Sequence, residues 1–264
     1  MKTLAITNQK GGCGKTTTAV NLAAALAMKG YRTLLVDLDP QAHATLAVGI
    51  VPENCYYTIY DVIIDPSLPI MQALWTTRIE NLEHAPSNVL LSGAESYLAY
   101  CRGREFMLRQ RLAAVAGRYA YCIIDCAPSL SIMTLNAMIA ADELIIPVQT
   151  HYYAIDGLRR VLETVEVVKE KFHPSLHVRG ILLTMAERRT LLCKQVEEQM
   201  RQYFGELVFK TMIHRNIRLA EAPSADQPVM TYDPHGSAAM EYTQLAREIC
   251  YEEIGITQTD CVVI

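Results

Sequence analysis

The run Lys10-Gly11-Gly12-Cys13-Gly14-Lys15-Thr16-Thr17, set directly after the apolar stretch Leu4 to Thr7, constrains this chain more than any other feature. Its three glycines let backbone N–H groups close around phosphate oxygens, while Lys15 is placed for the β- and γ-phosphates and the Thr16 hydroxyl for Mg²⁺. Strand, loop and helix arrive in the order that a nucleoside-triphosphate site requires. Gly11, Gly12, Cys13, Gly14, Lys15, Thr16 and Thr17 are therefore the nucleotide-binding candidates. An ordinary phosphate loop would carry a glycine five residues before Gly14; Gln9 stands there, and a second lysine follows at Lys10. Lys10 begins the loop and folds back onto the same phosphates less easily than Lys15, which points to service in a different subunit.

A chain of 264 residues with 51% hydrophobic content fits one large α/β domain, spanning 1–264, better than two. Nothing approaches the roughly 18 to 20 uninterrupted apolar residues of a membrane helix, so a cytoplasmic protein is expected. The eight cysteines lack CxxC or zinc spacing and read as reduced thiols in apolar segments, Cys122, Cys193 and Cys250 among them. Apolar β-rich runs at Thr3 to Thr7, Arg32 to Val36, Asn81 to Ala85, Tyr121 to Ile124, Glu143 to Val148, Val178 to Thr184 and Leu207 to Ile213 alternate with helical patterns. That alternation predicts a P-loop α/β fold: a mostly parallel twisted sheet with helices on both faces. The proline-rich stretch Gly49 to Pro69 reads as a surface excursion.

Two further stations complete the site. Asp37 and Asp39 follow the second strand, both expected to point into the crevice at the carboxyl ends of the strands. One would steady the lysines or Mg²⁺ and the other orient the attacking water. Asp125, ending the strand Tyr121 to Ile124, is placed to meet Mg²⁺ through water. Net charge is −4, yet Arg159 to Arg218 holds twelve Lys and Arg against seven Asp and Glu, a local +5. Such a face steers toward phosphate backbones.

These residues together carry a resemblance. Asn8 to Ala23, Asp37 to Gln41, Ile124 to Leu130, Pro147 to Gln149 and Arg215 to Ser224 resemble the motifs of the ParA/Soj partition ATPases, within the wider group that includes MinD. The likeness covers essentially the whole chain. It implies an ATP- and Mg-dependent switch whose signature lysine, Lys10, reaches into a partner's site, so that ATP is sandwiched in a homodimer. Lys15 and Thr16 would hold phosphate and metal, Asp39 the water, Asp125 the metal shell, and Asn216 would lie by the adenine. Lys10, Lys15 and Asp39 are the catalytic set. Arg189 and Arg218 match the family's sequence-independent DNA contacts, and the implied partners are double-stranded DNA and a ParB-like protein, with no membrane, in a bacterial, nucleoid-associated setting.

The chain also departs from the family pattern. His214 replaces a usual proline, Ala225-Asp226-Gln227 lacks a basic residue common after the Glu-Ala-Pro-Ser run, and Cys13 replaces a common valine, where oxidation would block the nucleotide. No helix-turn-helix segment precedes the loop, so operator recognition is not expected. The C-terminal Cys261 matches a prenylation pattern without a polybasic flank, and lipidation is not expected. The alternative is a MinD-like membrane- or cargo-positioning ATPase, but Glu252 to Ile264 carries three acids and no Lys or Arg, which favours DNA.

Overall fold

The computed structural model describes residues 1–151, 154–187 and 189–259, with 251–259 as backbone only; Cys261 lies outside the described residues. Seven strands, β1 (Lys2–Ile6), β2 (Thr33–Leu38), β3 (Trp75–Thr76), β4 (Leu82–Ala85), β5 (Tyr121–Cys126), β6 (Glu143–Gln149) and β7 (His177–Thr184), form one sheet in the order β3-β4-β2-β5-β1-β6-β7. All neighbours run parallel except β3, a two-residue edge strand antiparallel to β4. The sheet is wound outward in both directions from β1, which places the crevice for a ligand at the carboxyl ends of β1, β2, β5 and β6.

Strand residues alternate between two cores, as a period of two demands. Ala5, Leu34, Val36, Ile124 and Ile146 face α3 (Ile59–Ile64), α4 (Ala94–Leu98), α5 (Met107–Ala113), α6 (Ile132–Ala140), α7 (Ala154–Lys171) and α8 (Leu191–Phe204). Leu4, Ile6, Leu35, Ile123 and Ile145 face α1 (Lys15–Met28), α2 (His43–Ala47), α9 (Ile217–Glu221), α10 (Val229–Tyr232) and α11 (Ser237–Thr259). Helix α1 is buried almost all round from Thr18 to Ala27, and its small alanines let it sit between the sheet and α11. Among the described residues no helix is long and apolar enough to cross a membrane.

Two expectations are corrected. Leu207 to Ile213 is no strand: among the described residues its backbone joins β7 through the bridge Ile181–Val208 and the bonds of the Phe209 and Ile213 N–H groups to the Ile181 and Leu183 carbonyls, without a continuous ladder. The Lys210 and Thr211 N–H groups go instead to the Glu248 carboxylate, at 2.7 and 3.1 Å. Nor is Gly49 to Pro69 merely a surface excursion. It contains α3, closed by a capping box between Thr58 and Asp61, and Ile59, Val62 and Ile63 are core residues.

Candidate functional site

The loop after β1 is pinned from β6 and from β7 beyond it. Asn8 Nδ2 donates to the Pro147 carbonyl at 2.7 Å, the Lys10 N–H donates to Asn8 Oδ1 at 3.0 Å, and Thr184 Oγ1 at the end of β7 donates to the Cys13 carbonyl at 2.8 Å. Gly12 and Gly14 hold φ of 70° and 86°, the left-handed region that only glycine enters freely, and Gly14 turns the chain directly into α1. The first N–H groups of α1 thus open onto the loop and favour an anion there.

The two lysines part company. Lys15 is buried and its Nζ donates to the Lys10 carbonyl at 2.9 Å, inside the loop. Lys10 is exposed, and its Nζ lies along the end of β6, donating to Gln149 Oε1 at 3.2 Å and meeting His151 Nε2. The Cys13 side chain turns inward and donates to the Lys10 carbonyl at 3.3 Å, leaving its backbone to the loop. Burial raises the thiol pKa above its usual value. Oxidation of Cys13, which would block the nucleotide, is therefore opposed twice, by lack of access and by lack of thiolate.

Three carboxylates converge at the neighbouring strand ends, where Asp37 of β2 is the register partner of Asp125 of β5. Asp37 does not open into the crevice as anticipated. It is fully buried, its Oδ1 accepts the Asp39 N–H at 3.0 Å, and its Oδ2 accepts the Thr45 N–H and hydroxyl at 2.9 and 2.7 Å. Burial outweighs these three bonds and pushes its pKa up to about 6. Asp39 is 9% exposed, and Oδ1 accepts the Gln41 N–H at 3.0 Å; among the described residues its other oxygen makes no hydrogen bond.

Asp125 is the outlier of the group. Both of its oxygens are buried without a hydrogen-bond partner; the Thr16 hydroxyl favours the charged form from alongside but closes no bond of good geometry. Burial first, then Asp37 and Asp39, hold its carboxyl well above the usual range against Thr16 and Lys15. A buried, unpartnered carboxylate beside a threonine hydroxyl fits a hydrated divalent cation, whose bound waters would donate to it. Among the described residues no group of His, Cys, Asp and Glu could hold an ion unaided, so phosphates and water would supply most ligands.

Beside the loop, a cavity of about 640 Å³ is lined by Gly14, Thr17, Thr184, Asn216, Leu219 and Tyr242 among others, within the range of small-ligand pockets. Asn216 lines it while its amide caps α9, with Oδ1 on the Arg218 N–H at 2.9 Å and Nδ2 donating to Ser237 Oγ at 3.1 Å. The N–H and Nδ1 of His214 both engage Glu241, at 2.9 and 2.8 Å.

A profile of the AAA domain family covers residues 1–178. The chain is 46% identical to the sporulation initiation inhibitor protein Soj of Bacillus subtilis over 248 residues, covering 94% of this chain and 98% of Soj. It is 45% identical to the chromosome partitioning protein ParA of Myxococcus xanthus over 246 residues, covering 93% and 87%. The chain belongs to the ParA/Soj family of partitioning ATPases. Among solved structures, the cobyrinic acid a,c-diamide synthase of Mycobacterium smegmatis with bound ATP analogue and magnesium has a TM-score of 0.83 at 33% identity, covering 93% and 92% of the two chains.

In this ParA/Soj-family chain the bridge between Ala186 and His214, with the bonds of the Ile213, Ala186 and Arg215 N–H groups, lays residues 183–186 beside 213–215. Arg189 is exposed immediately before Thr190, the N-cap of α8. Arg218 is also exposed, but pairs with Glu221 Oε2 at 2.8 Å and lies over the Tyr232 ring. The basic stretch is thus no uniform cationic face: Lys169, Arg179, Arg201 and Arg215 also meet carboxylates. Thr184, Thr45 and His84 were not legible as site residues, because no motif marks them and only the sheet brings them to the loops.

Proposed function

We propose that this chain is an ATPase that dimerises around ATP and Mg²⁺, binds double-stranded DNA without sequence preference, and drives chromosome or plasmid partitioning with a ParB-like partner. The observation that carries the reading is the divergence of the two loop lysines. Lys15 points into its own phosphate loop, whereas Lys10 lies exposed outside it, along the end of β6 against Gln149 and His151, where a second chain could reach it. Lys15 and the N-terminal N–H groups of α1 would bind the phosphates, and Thr16 with Asp125 would hold the metal. The metal, when bound, neutralises charge building on the phosphates. Asp39, with one oxygen uncommitted, would orient the attacking water.

The DNA surface would be Arg189, at the positive end of α8, with Arg218. Two such patches in one dimer act as a single multivalent surface, which raises affinity far more than twofold and links DNA binding to ATP. The test is light scattering with a slowly hydrolysed ATP analogue. Wild-type protein is expected to pass from monomer to dimer, while Lys10→Ala stays monomeric and still binds nucleotide. An unchanged dimer in Lys10→Ala would overturn the assignment.

A further inference from the structure

Behind Asp39 lies a buried polar network that the loop motifs do not include. Its centre is Thr45, 0% exposed at the start of α2. The Thr45 hydroxyl is 2.7 Å from Asp37 Oδ2, 3.0 Å from the Ser87 N–H and 3.0 Å from His84 Nε2. A hydroxyl has one proton and two lone pairs. The proton goes to the carboxylate, which can only accept, and one lone pair takes the Ser87 N–H. The remaining lone pair must face a hydrogen on His84 Nε2, which is where a neutral ring would carry its single proton. Burial agrees, since it pushes the His84 pKa down to about 3. His84 Nδ1 is buried without a hydrogen bond of good geometry, and the Leu35 backbone alongside opposes the burial only in part.

The network therefore has a direction. His84 and Ser87, from β4 and the loop after it, fix the Thr45 oxygen; Thr45 fixes one oxygen of Asp37; the other oxygen of Asp37 holds the N–H of Asp39. The relay is unbroken from His84 Nε2 and the Ser87 N–H to the backbone of Asp39, although the Ser87 hydroxyl is buried without a partner, and the Asp39 side chain then stands free on one oxygen. We propose that Thr45, supported by His84, is a positioning residue for ATP hydrolysis, setting the place of the Asp39 carboxylate through Asp37 without touching nucleotide. The inference rests on the reading of Asp39 as the group that orients water. Displacing a catalytic group by about 1 Å costs on the order of 100-fold in rate, so the network has leverage on turnover out of proportion to its distance from the phosphates.

The test is steady-state ATP hydrolysis by Thr45→Val, Thr45→Ser, His84→Leu, Asp39→Ala and the Thr45→Val/Asp39→Ala double variant. Thr45→Val is expected to lower kcat by about 10- to 100-fold with KM for ATP unchanged, and Thr45→Ser to restore most of it. His84→Leu is expected to lower kcat by about 3- to 10-fold, again without a change in KM. In the Asp39→Ala background Thr45→Val should cause no further loss, because residues acting through one group are not additive. A wild-type kcat in either single variant overturns the proposal, as does a Thr45→Ser enzyme as slow as Thr45→Val. If Thr45→Val does not fold, Thr45→Ser and His84→Leu decide the matter. Normal hydrolysis by Asp39→Ala instead removes the role of Asp39 itself, a separate failure.

Discussion

Asp125→Asn separates the chemistry of the site from its stability more sharply than any other substitution. The carboxylate has no hydrogen-bond partner on either oxygen and is fully buried. An unsatisfied buried polar group costs about 1–3 kcal/mol, and more when charged. An asparagine amide at the same place keeps the polar cost and removes the charge, so the metal-free variant should gain about 1–2 kcal/mol, or roughly 2–8 °C in Tm for a chain of this size. The sign with pH follows from the raised carboxyl. Below the ordinary value of 3.8 both folded and unfolded chains are protonated and the two proteins differ least. Between 3.8 and the raised folded value the unfolded chain ionises first, so wild type loses stability as pH rises and the advantage of Asp125→Asn grows; above that value it is constant. Mg²⁺ with an ATP analogue should invert the order. A ligand at 100 times its Kd adds about 2.7 kcal/mol to wild type, and a variant that has lost the metal contact should gain far less. Thermal unfolding in EDTA and then with Mg²⁺ and analogue measures both arms. An Asp125→Asn protein destabilised by more than about 1 kcal/mol in EDTA, or one with the full Mg-nucleotide shift, would refute the reasoning.

Asp39→Ala should bind ATP normally and accumulate as the ATP-bound dimer with turnover lost, read by phosphate release alongside light scattering. Arg189→Glu and Arg218→Glu should remove DNA binding in gel shifts while sparing ATP-dependent dimerisation. Glu221→Gln, by releasing Arg218 from its 2.8 Å pair, should tighten DNA binding by less than about tenfold at low salt. Gly180→Ala places a Cβ 2.5 Å from the Phe209 ring, and thermal melts should show a loss of about 1–3 kcal/mol with nucleotide affinity intact.

How much of this was legible in the sequence varies with the range of the interactions. The loop from Lys10 to Thr17 carries its conformation in its own glycines, and the six principal strands in their own apolar runs, so both were read correctly from local pattern. The helix α3 was legible too, because Thr58 and Asp61 announce its start, but the prolines at 52, 66 and 69 outweighed that signal. Leu207 to Ile213 misled for a different reason. Its apolar residues are buried as a strand's would be, yet the N–H groups of Lys210 and Thr211 are claimed by a carboxylate from α11, a partner 37 and 38 residues away. Asp37 and Asp39 looked alike at spacing two, and only the tertiary position of Thr45 distinguishes the carboxylate that holds the turn from the one left open.

The placement of the arginines bears on how nucleotide and DNA could be linked. Thr184 ends β7 by gripping the Cys13 carbonyl of the phosphate loop, and the chain reaches Arg189 five residues later. Asn216 lines the cavity beside that loop and caps α9 through the N–H of Arg218 itself. The Ala186–His214 bridge fastens the two segments together. If that cavity takes the nucleotide as proposed, neither arginine would need a long relay to respond to it, because each extends from a segment with a residue in its lining. Ordering of those segments by ATP would be felt at both arginines at once, and at four in the proposed dimer, whereas Glu221 pairs with Arg218 at 2.8 Å and would have to release it. Under the proposed function such a surface would be weak in the single chain and strong in the pair, the behaviour that an ATP-timed grip on DNA requires.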